Sequence, residues 1–165
     1  MRFLEKDLER IIYETPKKKL RKKGLHVDGH ILRQVSIPKY GIADLVTVKR
    51  IISPVHDPGY LHFTIYELKK DRIGISAFLQ AIGYVKGIKE YLEKKRGWGR
   101  IVCDFTIVLI GSEIDKTGNF IFLTDCLGYE SEFNPFSKIS SVDFYTYSYD
   151  VDGISFKRHS NYHAI

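Results

Sequence analysis

A chain of 165 residues is most simply one domain, long enough to bury a sizeable core. Apolar content of 44% and charged content of 28% are ordinary for a globular protein, and no apolar run is long enough to span a bilayer. The formal charge of +6 leans modestly toward anionic partners but selects none.

The opening "MRFLEKDLER" alternates charge with hydrophobe and lacks the apolar middle of a signal peptide, so a cytoplasmic protein with no membrane partner is expected. Residues 3–14 read as an amphipathic helix with Leu4, Leu8, Ile11 and Ile12 on one stripe. "TPKKKLRKKG" follows, a basic run around a proline that reads as a helix end or solvated loop. Three strand-like runs come next, "LHVDGHILRQVSI", "GIADLVTVKRII" and "YLHFTIYELKK", with "SPVHDPG" joining the last two.

Residues 75–96 form the clearest helix, with Ile75, Phe78, Leu79, Ile82, Val85, Ile88 and Leu92 near the helical period and a stop at "GWG". "RIVCDFTIVLIG" is apolar enough for a central buried strand, and "NFIFLTDCL" reads as another. Cys103 and Cys126 lie in these strands without metal-ligand spacing and read as reduced core residues. The last segment reads as a hairpin turning at Asp152-Gly153. His159 and His163 fall in a polar tail read as unstructured. The order is helix, three strands, helix, strand, then further strands: a mixed α/β plan.

The strand ending "YELKK" poses the chemical question. Side chains two apart in a strand share a face, so Glu67 and Lys69 emerge on the face of Leu61, Phe63 and Ile65. A loop centred near His56 places Asp44 opposite this pair, with same-face pairing slipping to 67 or 69. Two carboxylates and an ammonium then converge beside apolar surface, where like charges repel and burial is costly. A divalent cation resolves that conflict: Mg²⁺ takes one or two carboxylates and keeps positions for a phosphate substrate. A lysine alongside can orient the attacking water and balance developing negative charge. Taken alone, "E-x-K" reads as a surface salt bridge; Asp44 in hairpin register tips it toward a site.

The pieces "LEKDLERII", "GIADLV", "YELKK" and "QAIGY" resemble, in order, the motifs of the PD-(D/E)XK nuclease superfamily. "RQV" before "GIADLV" is similar to the RecB-like and archaeal single-strand-directed branches. The resemblance covers residues 3–111, with Ala43 in place of the family's proline, and leaves 112–165 as a strand-rich extension of the same domain. It implies a restriction-endonuclease-like αβββαβ core with a mixed central sheet and additional C-terminal strands.

It also implies a nuclease dependent on Mg²⁺ or Mn²⁺, hydrolysing DNA rather than RNA. Asp44 and Glu67 would be metal ligands, with the Leu68 carbonyl a third and Lys69 positioning the water. Glu5 would hold the metal through water or bind a second ion; Glu9, one turn later on the same face, is the fallback for that role but reads first as a solvent-facing helix acid. Gln80 would orient Lys69 or the water. Tyr84 shares a helix face with Gln80 and Ser76, off the main apolar stripe.

For nucleic-acid contact the candidates are Lys70, Arg72, Tyr84 and Trp98, the last set between basic residues in "KKRGWGR". Tyr145, Tyr147 and Tyr149 line one strand face and read first as a tyrosine stripe on a half-covered sheet. The resemblance implies a homodimer or a larger assembly, such as a phage or mobile-element complex, whose partners would supply specificity. The alternative is a nuclease-fold component that has lost activity and serves binding or structure; intact Asp44, Glu67 and Lys69 argue against it.

Overall fold

Residues 3–52, 59–95, 102–117 and 137–159 are described by the structure, a computed structural model. The chain begins with α1 (Glu5–Glu14), started by the Leu4 N–H donating to Asp7 Oδ2 at 2.9 Å. An acid in the first turn satisfies a free N–H and opposes the helix dipole. Leu8 and Ile12 form its buried stripe, while Leu4 is left exposed. Pro16 ends that helix, yet the basic run beyond it is not a loop. It forms a second short helix, α2 (Lys17–Lys22), because Leu20 is drawn fully into the core.

Three antiparallel strands follow, β1 (His30–Ile37), β2 (Gly41–Ile51) and β3 (Tyr60–Leu68). A two-residue β4 (Arg72–Ile73) leads into α3 (Ile75–Lys94), which crosses over to β5 (Val102–Gly111). After a two-residue β6 (Glu113–Ile114), the chain contributes β7 (Ser137–Asp150) and β8 (Gly153–His159). The large sheet runs β1-β2-β3-β5-β7-β8, with β3, β5 and β7 parallel and the outer pairs antiparallel. It is therefore a mixed six-stranded sheet in an α/β fold, as the order of elements predicts. The strand expected at "NFIFLTDCL", with Cys126, lies outside the described residues, as do Trp98 and His163.

Helices cover both faces. On one, α3 lays Phe78, Ala81 and Val85 against Phe63, Ile65, Phe105 and Ile107. On the other, Leu8, Ile12 and Leu20 meet Leu45, Leu68, Val108 and Ile110. Each large side chain so buried contributes about 1.5–3 kcal/mol. Of the expected stripe of α3, Phe78, Val85 and Leu92 are buried and Ile82 and Ile88 pack against the core, but Ile75 and Leu79 are exposed while Ala77, Ala81 and Tyr84 are buried. Small residues decide this. A Cβ on Gly87 would run into Ile37 and Tyr40, so the helix sits closest where its side chains are smallest.

The β7–β8 hairpin turns one residue earlier than expected, pairing Asp150 with Gly153 across Val151-Asp152. Gly153 takes a φ of +93°, a conformation glycine adopts without strain. His159 is not in an unstructured tail but ends β8, its Nε2 lying 2.7 Å from Thr146 Oγ1. Cys103 is buried in β5. No helix among the described residues is long and apolar enough to cross a membrane.

Candidate metal centre

The β2–β3 ladder runs from Ile51–Tyr60 to Leu45–Tyr66 and stops there, one residue off the register centred on His56. One step further, Asp44 comes level with Glu67. Instead of continuing the ladder, the Leu68 N–H donates to Asp44 Oδ2 at 3.1 Å. On the other side of β2, pairing with β1 is interrupted between Arg33–Leu45 and Val35–Ala43. The skipped residue of β1, Gln34, has a φ of +51°, and its side-chain amide donates to Glu9. Asp44 thus sits where β2 is released from both neighbours.

Glu67 and Lys69 leave β3 on the α3 face, as the period of two predicts. Lys69 Nζ donates to Glu67 Oε1 at 2.6 Å and reaches toward Gln80 Oε1 at 3.5 Å. Gln80 Nε2 donates to the Tyr84 hydroxyl at 2.6 Å, which donates to the Ile42 carbonyl at 2.8 Å. A chain of polar contacts therefore ties Lys69 through α3 back to β2, two residues before Asp44. Glu5 Oε2, at the start of α1, accepts the Lys70 N–H at 3.2 Å.

Glu67 is 1% exposed, and its Oε2 has no hydrogen-bond partner among the described residues. An ionised carboxylate oxygen buried without a partner carries a heavy desolvation penalty. Burial pushes the Glu67 carboxyl up to about 7, opposed by Lys69 and reinforced by the charges of Asp44 and Glu5. Burial likewise pushes Asp44 up to about 6, against the Leu68 N–H and with Glu5 adding to the rise. For Lys69, burial works against the charge, but the hydrogen bond to Glu67 and the surrounding carboxylates hold the ammonium above its usual range.

This donor set fits a small divalent cation. Two neighbouring carboxylates, one with an orphaned oxygen, are what Mg²⁺ or Mn²⁺ takes from a protein that leaves further positions to substrate and water. Among the described residues no three His, Cys, Asp or Glu side chains are grouped to cage an ion by themselves.

Two expectations need correction. Tyr84 is fully buried, its ring in the core between α3 and the sheet, so it cannot stack on a nucleic acid. Glu9 is not solvent-facing: it is buried and accepts from both Arg33 and Gln34. Arg72 is exposed but paired with Glu113 at 3.4 Å, which engages part of its charge. Trp98 falls outside the described residues. Lys70 stands beside the centre, with its backbone held by Glu5 and by the Tyr147 hydroxyl, which donates to the Lys70 carbonyl at 2.6 Å.

A second polar constellation lies on the opposite sheet face, toward the starts of β3 and β5. His62 Nδ1 is 3.0 Å from Asp104 Oδ2, and its Nε2 is 3.2 Å from Thr106 Oγ1. With the Lys49–Asp28 and Arg158–Asp143 ion pairs it borders a groove of about 520 Å³. Each of these acids is matched by a base within the groove. Only strand register brings these residues together, so no local pattern announces them.

Set against protein-family models, curated proteins and solved structures, the chain matches none.

Proposed function

We propose that this chain is a metal-dependent nuclease with a restriction-endonuclease-like core, hydrolysing nucleic-acid phosphodiesters with Mg²⁺ or Mn²⁺. The observation that carries the reading is the orphaned Glu67 Oε2, buried beside Asp44 and next to a lysine. A structural ion pair would satisfy both carboxylate oxygens or leave them to water; here one is buried and unmatched. Asp44 and Glu67 would hold the cation, which supplies Lewis-acid charge against the phosphodiester oxygens.

The chain's own residues supply the rest. Lys69 orients the attacking water and balances charge that develops as water adds to phosphorus and the ester oxygen leaves as an alcohol. Gln80 limits the arc Lys69 can sweep, and Tyr84 anchors Gln80 from the core. DNA rather than RNA follows from the motif resemblance. Lys70 and Arg72 stand beside the centre to meet the phosphate backbone without reading sequence.

The test is cleavage of labelled single- and double-stranded DNA with Mg²⁺, Mn²⁺ or chelator, wild type beside Asp44→Ala and Lys69→Ala. Metal-dependent cutting lost in both variants, with circular dichroism unchanged, is expected. Cutting that survives both substitutions, or that ignores chelator, overturns the assignment.

A further inference from the structure

The segment that carries Lys69 is held peptide by peptide. Leu68 N–H goes to Asp44, Lys69 N–H to the Ile110 carbonyl at 2.8 Å, and Lys70 N–H to Glu5. The Asp71 carbonyl accepts from the Ser112 N–H at 2.7 Å. The Lys70 carbonyl is taken by Tyr147, a residue 77 positions away in the C-terminal extension. β7 pairs with β5 as far as Gly111–Thr146, so Tyr147 projects just past the end of β5, where the chain turns out of β3. Its ring is steadied by Phe3, with centroids 5.4 Å apart.

We propose that Tyr147 is a positioning residue for the catalytic lysine: by fixing the Lys70 peptide from β7, it sets where the Lys69 ammonium stands. The proposal rests on the nuclease reading of Asp44, Glu67 and Lys69. It gives the β7–β8 hairpin a part in the centre: the hairpin extends the sheet past β5 and completes the clamp on the turn. The geometry leaves the metal ligands to other anchors. Asp44 belongs to β2, and Glu67 is still within β3, so loss of the Tyr147 hydroxyl frees the turn after Lys69 while sparing both carboxylates. Displacement of a reacting group by about 1 Å is enough to cost on the order of 10²-fold in rate, so a loosened turn acts on kcat first.

The experiment compares Tyr147→Phe with wild type in the full chain, with Tyr149→Phe as control. Phenylalanine keeps the ring against Phe3 and removes only the donor. Four quantities are read: amide hydrogen exchange at residues 69–71, Mn²⁺ affinity by calorimetry, and kcat and KM on labelled DNA. Tyr147→Phe should speed exchange at 69–71 and lower kcat by roughly 5- to 50-fold. KM and Mn²⁺ affinity should stay within about two-fold. Tyr149→Phe should match wild type throughout. Unchanged exchange at 69–71, or faster exchange with unchanged kcat, overturns the proposal. So does an equal loss in the control, or a kcat loss that merely follows a fall in Tm. A wild type that neither binds Mn²⁺ nor cuts brings down the nuclease reading and the catalytic role of Tyr147 with it. The clamp itself is then decided by the exchange rates alone.

Discussion

Lys69 grips one oxygen of Glu67, with Nζ 2.6 Å from Oε1, and leaves the other, Oε2, buried and without a partner among the described residues. Half of a buried carboxylate is thus neutralised and half is not. An ionised carboxylate held this way costs stability, and the cost has a readable sign.

Folded, Asp44 and Glu67 hold protons up to about 6 and about 7, against ordinary values of 3.8 and 4.5. A carboxyl raised in the folded state favours folding most below its unfolded value and loses that contribution as pH rises through the folded value. In chelator, wild type should therefore lose stability between about pH 4 and 7.5 relative to Glu67→Gln. At pH 7.5 the variant should melt higher by about 2–4 °C or more, the shift that about 1 kcal/mol produces at this size. Mn²⁺ should raise the wild-type Tm and leave the Glu67→Gln Tm nearly unmoved. Differential scanning calorimetry across pH with and without Mn²⁺ measures all three. A variant no more stable than wild type would mean that Glu67 is satisfied without metal.

Metal binding and chemistry should separate at Lys69. Lys69→Ala removes a cation beside two carboxylates, so Mn²⁺ affinity should be unchanged or tighter, while kcat falls by at least about 10²-fold. Gln80→Ala should cost less, about 3- to 10-fold, because its contact with Nζ lies at the outer limit of hydrogen bonding, 3.5 Å. Calorimetry beside a cleavage assay makes the comparison. A Lys69→Ala protein that loses Mn²⁺ would show that the lysine holds the carboxylates in place and does not act on the water.

Tyr84 should behave as a core residue with a polar task. Tyr84→Phe keeps the ring but leaves the Ile42 carbonyl and Gln80 without their partner, a loss of about 1–2 kcal/mol. Nucleic-acid affinity should stay within about two-fold, since a fully buried ring touches no substrate. Tyr84→Ala should cost about 3–5 kcal/mol by opening a cavity under α3. Denaturant melts and filter binding of labelled DNA in chelator test the pair. A binding defect without a stability defect would place the ring in contact with substrate after all.

What could be read along the chain was what the backbone makes periodic. Glu67 and Lys69 on one face follow from the two-residue repeat of a strand, and Asp44 beside them follows from a short hairpin. Most of the α3 stripe packs as its period implies, but Ile75 and Leu79 are left exposed because the helix turns Ala77, Ala81 and Gly87 toward the sheet. Close approach of a helix to a sheet favours small residues over large ones. Contacts between distant positions had no local sign at all. Arg33 and Gln34 meet Glu9 across 24 and 25 residues, and Tyr147 meets Lys70 across 77. Strand register and helix docking make these contacts, so neither partner's neighbours in sequence announce them.

Glu9 offers the sharpest contrast with that surface reading. It is buried at 3% exposure, with Arg33 on one oxygen and Gln34 on the other. A carboxylate so enclosed depends on both donors, and removing it strands an arginine and an amide at the base of α1. Gln34 bends out of the β1–β2 ladder to make this contact, with a φ of +51°, at the residue that would otherwise pair with Asp44. Glu9→Ala should then lower Tm by roughly 4–8 °C and also weaken Mn²⁺ affinity, because Asp44 loses the gap that frees it from the ladder. Gln34→Gly separates the two effects. Glycine adopts a positive φ without strain, so the gap persists and Mn²⁺ affinity should stay within about two-fold, although the contact with Glu9 is gone. Gln34→Val, which resists a positive φ and favours a continuous strand, should weaken Mn²⁺ binding by about 10-fold or more. Calorimetric titration of the three proteins ranks them. Equal affinities for the glycine and valine variants would show that Asp44 is placed by Leu68 alone.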